Sequence, residues 1–187
     1  MKSIFPRMPR RHRRAYHKAG HAVMAVRYGI HIERVGLRRS PEQLTTSIFQ
    51  SADEYCPLRM GRATDERRLE NYLFFLLAGS IAEMLAIEHH HHLVRCPAFQ
   101  NHFRDRCYEI LWARPDVHND LAFYYFSFWG RELAPFEVPR MNVFYWGQVL
   151  RRVEEPETWQ RIEQVAQQLI QCEVLDQSGI LAAMEGQ

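Results

Sequence analysis

The stretch "YLFFLLAGSIAEMLAI", residues 72 to 87, limits the folds open to this chain more than any other. It is almost unbroken apolar sequence with one interior acid, Glu83. A membrane span needs about 20 apolar residues, so this shorter run reads as a buried core helix that other helices must cover. With the charged residues before it, it predicts a long helix over 62–88. A carboxylate on such a helix is costly to bury without a partner. Glu83 therefore either accepts from a histidine ligand and orients it, or pairs with an arginine near the helix rim.

The flanking sequence supplies those other helices. "PRRHRRAYHKAGHAVMAVRY", residues 9 to 28, has Pro9 for a first turn and Gly29 for a C-terminal cap. Ala15, Ala19, Ala22 and Val26 form one stripe along it. His17, His21, Met24 and Tyr28 form a second at the same period. "IHIERVGLR", 30 to 38, and "TTSIFQS", 45 to 51, alternate like strands and predict a small antiparallel pair around "RSPEQL". Residues 93–114 read as partly helical, stopped by Pro115. Further helices are expected at 116–133, 138–154, 157–173 and 176–185, with Pro156 separating two of them and Gly179 weakening the last. The expected fold is mainly α, one domain spanning 1–187, with about residues 1–8 as a flexible tail and a small antiparallel β element after the first helix.

Bulk properties narrow the class. A chain of 187 residues that is 47% hydrophobic can bury a sizeable core. A net charge of +2 argues against nucleic acid as partner. Cys56, Cys96, Cys107 and Cys172 form no C-x-x-C pair, which favours reduced thiols and a cytoplasmic setting. The N-terminus has no apolar run of the secretory type, no transmembrane segment is expected, and no phosphate-binding G-x-x-x-x-G-K-[ST] loop occurs, so no ATP site is expected.

The chemistry lies in "RRAYHKAGHAV", residues 13 to 23. Histidines at i and i+4 share one helix face, so His17 and His21 can reach a single zinc ion at roughly 2.0–2.1 Å. Spacing alone equally allows two core-facing histidines with satisfied hydrogen bonds. The surrounding residues add to the pair. "AYHKAGHAV" resembles the A-x-H-E-A-G-H-A signature of the FtsH-type ATP-dependent zinc metallopeptidases. "LLAGSIAEML", 76 to 85, is similar to that family's L-G-G-R-A-A-E-E segment. "HNDLAF", 118 to 123, looks like its Asn-Asp segment, and "W-x-x-I-x-x-x-A-x-x-L", 159 to 169, resembles its closing helices. The blocks occur in the family's order across about residues 13 to 185. The resemblance implies a helical peptidase domain with zinc held by His17, His21 and Asp120, and Glu83 behind the ligands.

The departures point away from hydrolysis. Lys18 stands where the family has its catalytic glutamate, Ala78-Gly79 replaces the double glycine, Ser80 replaces an arginine, and the ATPase module is absent. In H-E-x-x-H chemistry the glutamate takes a proton from zinc-bound water. A protonated lysine offers no base. At about 5 Å from a dication, with an effective dielectric of about 20, it would feel a repulsion on the order of 6–7 kcal/mol before relaxation. Lys18 then swings away, loses its proton, or leaves the site without metal. The expectation is a stand-alone, FtsH-like, zinc-peptidase-type pseudoenzyme that binds a peptide or protein partner. The alternatives are an active zinc peptidase with altered base chemistry and a metal-free helical module.

Other features read more plainly. His118 is a substitute ligand candidate but fits a solvated loop better. "HHHH", 89 to 92, suits a polar helix end, where a cationic histidine favours the dipole. "RRHRR", 10 to 14, reads as a solvated face that is able to touch phosphate or an acidic partner. "FYYFSFW", 123 to 129, covers every face of a helix and suggests a homodimer contact.

Overall fold

A computed structural model describes residues 8–37, 66–112, 134 and 136–186. Among them the chain is mainly helical. The elements are α1 (Arg10–Arg27), β1 (Arg34–Gly36), α2 (Glu66–His90), a 3-10 turn (Leu93–Arg95), α3 (Pro97–Trp112), α4 (Glu137–Glu154), α5 (Pro156–Cys172), β2 (Val174–Asp176) and α6 (Gln177–Met184). The expected helices at 116–133, the strand at 45–51, Asp120, His118 and the aromatic run lie outside the described residues.

The helix ends follow local chemistry. α1 closes at Gly29, whose φ of 69° suits a residue without Cβ. The Gly29 N–H donates to the Val26 carbonyl and that of Ile30 to Ala25 at 2.8 Å, a paired closure of orphan carbonyls. Pro156 opens α5, where its missing N–H costs nothing. Asp176 caps α6 by accepting from the Gly179 N–H at 2.8 Å.

α2 is the core helix. Leu73, Leu77, Ile81, Met84 and Leu85 are all but fully buried on it, each worth about 1.5–3 kcal/mol of burial. The segment Glu70–His90 is long and apolar enough to cross a membrane, and 67% of that apolar stretch lies buried inside the protein. α1 packs most extensively on α2 and then on α5. Small residues let α1 and α2 approach closely. A Cβ added to Gly20 would stand 2.6 Å from both the Ala78 carbonyl oxygen and the Ala82 Cβ. Ile162, Val165, Ala166 and Leu169 of α5 and Ile180 of α6 close the other side, all fully buried.

The small antiparallel sheet has a strand that the sequence did not single out. β1 pairs antiparallel with β2, Val35 opposite Leu175, at the far end of the chain. The expected partner, 45–51, lies outside the described residues. A three-residue strand carries too little local signal to name a partner some 140 residues away.

Candidate functional site

The site lies where α1 crosses α2. The i, i+4 spacing puts His17 and His21 one turn apart, and their Nε2 atoms stand 3.2 Å from each other. Two nitrogens bound tetrahedrally to one zinc at about 2.0–2.1 Å would be about 3.3–3.4 Å apart. The observed separation is close to that value.

The outer nitrogens face different groups. His21 Nδ1 lies 2.7 Å from the Phe75 carbonyl oxygen. A carbonyl only accepts, so Nδ1 carries the proton and donates it, which leaves Nε2 with a lone pair. Burial holds the His21 pKa well below the ordinary histidine value, and His17 and Lys18 push in the same direction against the Phe75 bond. His21 is thus a neutral ring with its bare nitrogen aimed at His17. His17 Nδ1 lies 3.3 Å from Glu83 Oε2, at ion-pair distance but without hydrogen-bond alignment. Glu83 Oε1 lies 4.0 Å from Arg13 Nε. Glu83 thus lies within ion-pair distance of both a histidine and an arginine.

The two Nε2 atoms thus face each other at 3.2 Å, while His17 Nδ1 faces the Glu83 carboxylate at 3.3 Å.

Gly79 sets the room for this arrangement. A Cβ there would collide with His21 Nε2 and Cδ2, and would stand 2.8 Å from the His17 carbonyl oxygen. The sequence placed Gly79 in a family-like block without showing this contact. Phe75 was read only as core, although its carbonyl fixes the His21 tautomer and its ring lies against the imidazole, centroids 5.1 Å apart. A backbone acceptor leaves no trace in residue type.

Lys18 adjoins both imidazoles on α1 and is half-buried. Asp120, the third ligand implied by resemblance, lies outside the described residues. Among the described residues no group of three His, Cys, Asp or Glu side chains is placed to hold a metal. "HHHH" forms the end of α2 and the turn after it, where His89 meets the Trp159 ring edge-on, centroids 4.8 Å apart. Trp159 also stacks on Tyr16 at 5.8 Å, tying α5 to the site helix.

No protein-family model matches this chain, and no curated protein matches it significantly.

Proposed function

We propose that the α1–α2 crossing is a zinc-peptidase-type site of FtsH-like character that has lost hydrolysis and serves to bind a peptide or protein segment. One observation carries this reading: the Nε2 atoms of His17 and His21 are 3.2 Å apart, with a carbonyl and a carboxylate behind them. His17 and His21 would hold the ion, and Asp120 is the proposed third ligand. A bound zinc ion polarises carbonyl oxygens and acidifies water. The residues of this chain do the rest. The Phe75 carbonyl fixes the His21 tautomer, Glu83 faces His17 from behind, and Gly79 leaves space for the ring. Lys18 supplies no carboxylate to take a proton, so water activation in the usual manner does not occur. The site thereby keeps recognition and lacks turnover.

The test is metal stoichiometry together with a proteolysis assay. Wild type should hold about one zinc ion per chain, and His21→Ala none. Wild type should leave an unfolded protein intact, whereas zinc-loaded Lys18→Glu should cleave it. Equal zinc content in wild type and His21→Ala would favour the metal-free helical module, with the imidazoles joined by a proton. Zinc-dependent cleavage by wild type would favour the active peptidase.

A further inference from the structure

α5 carries two opposite faces. Ile162, Val165, Ala166 and Leu169 are fully buried on one. Gln164, Gln167, Gln168 and Gln171 fall at i, i+3, i+4 and i+7 on the other. Polar residues at that spacing ordinarily form a plain solvated face. Here the face borders a cavity. The end of α6 lies against it, so that Ala183 and Gly186 join the four glutamines around a space of about 230 Å³. That space equals the share of about seven or eight water molecules.

Gly186 shapes the opening. Its φ is 76°, a left-handed conformation that glycine adopts without strain. A Cβ there would stand 3.2 Å from Gln164 Nε2. The Gly186 N–H donates to the Ala183 carbonyl at 3.2 Å, so the end of α6 closes on itself and forms one wall of the cavity. On the α5 side the Cys172 thiol donates to Gln168 Oε1 at 3.8 Å, a weak contact that ties the carbonyl end of this carboxamide to its own helix.

A carboxamide sets an N–H donor beside a carbonyl acceptor in one plane. Another amide is its complement, because it offers the same pair in reverse. The four glutamines repeat the pair over seven helical steps, about 10 Å. An extended polypeptide repeats an N–H and a C=O along its length at about 3.3 Å per residue, so roughly three residues match the row. The volume holds the backbone atoms of roughly two. We infer that the α5–α6 cavity binds two to three residues of extended peptide, held through backbone amides. A sugar is the poorer match, since a hydroxyl donates and accepts at one atom and leaves the planar pair unused. The cavity lies on α5 and α6, whereas the histidine pair lies on α1, so the inference does not rest on the zinc reading.

NMR of the side-chain NH₂ groups in the isotopically labelled full chain tests this, with no zinc added. The probe is N-acetylated, C-amidated tetraglycine, which presents backbone and little else. The comparison is the same peptide built from sarcosine, whose N-methyl groups replace the N–H donors. Tetraglycine should shift the signals of Gln164, Gln167, Gln168 and Gln171 saturably, and the sarcosine peptide should leave them in place. Gln164→Ala/Gln168→Ala should lower the affinity by about tenfold, and Gly186→Ala should lower it too, both with wild-type helical circular dichroism. Equal shifts with the two peptides, unchanged affinity in the double variant, or no shift at millimolar tetraglycine overturns the inference. Larger saturable shifts with maltose than with tetraglycine overturn the peptide assignment. Because the four glutamine signals are the readout, a peptide held at the histidine pair leaves this result unchanged, and the two readings fail separately.

Discussion

Gly79 shows how one missing carbon shapes the site. Alanine normally improves a helix interior over glycine by roughly 0.5–1 kcal/mol. At Gly79 the added methyl meets an imidazole and a backbone carbonyl instead, and overpacking of that kind costs about 1–3 kcal/mol. Gly79→Ala should therefore lower the unfolding midpoint and weaken zinc uptake. Gly147 on α4 is the internal comparison, since a Cβ there meets nothing within 4 Å. Gly147→Ala should be neutral or stabilising. Thermal denaturation of both variants checks the pair, and a stabilised Gly79→Ala would contradict the packing. The histidine pair and Glu83 were legible in the sequence because helical spacing and residue type announce them. Gly79 and the Phe75 carbonyl were not, because their parts depend on how two helices cross.

At the scale of elements, α3 joins the helical core through Leu111, Phe103 and Tyr108 and through one buried polar anchor. Glu88 on α2 is fully buried, and Arg104 on α3 grips it with Nε to Oε1 at 2.6 Å and Nη2 to Oε2 at 2.8 Å. Gln100 donates to the same carboxylate at 2.9 Å, and Arg104 also reaches Glu154 on α4. Removing one partner leaves a buried charge unpaired, at about 3–5 kcal/mol. Arg104→Ala should cost that much, and Glu88→Leu/Arg104→Leu much less. A denaturant double-mutant cycle checks the difference. A second joint ties the end of α1 to the start of α5, where Arg27 donates to Glu155 at 2.6 Å and to Thr158 at 2.9 Å. The Arg27 bond lowers the Glu155 pKa. A depressed carboxylate contributes stability above its unfolded pKa and loses it as pH falls through the folded value. Wild type should thus lose its advantage over Arg27→Ala as pH drops below about 4. Because the pair is largely exposed, the effect should be small, and urea midpoints across pH measure it. The helix boundaries were readable within a few residues, since Gly29, Pro156 and Asp176 mark them chemically. The partner of β1 was not, because pairing with residues 174–176 leaves no local mark.

For the whole molecule, ligand linkage links the site to global stability. An ion that binds only the folded chain adds about 2.7 kcal/mol at 100 times its dissociation constant. In a protein of this length that corresponds to a rise of roughly 5–10 °C in the unfolding midpoint. Zinc should produce this shift in wild type and none in His21→Ala, as read by scanning calorimetry. The overall charge conceals an asymmetry along the chain. A chain near neutrality has gathered positive charge on its first helix and placed many of the balancing acids elsewhere, including Glu88, Glu154 and Glu155.

The β1–β2 pairing also sets a schedule. Arg34–Gly36 waits for Val174–Asp176, and α1 waits for α5, so α1 cannot finish packing until those later segments are made. At synthesis rates of about 5–20 residues per second, the intervening chain takes roughly seven to thirty seconds to emerge. Throughout that interval the nascent first helix presents an uncovered apolar face beside its arginines. Until α5 has emerged, that face is open to any chaperone the nascent helix meets.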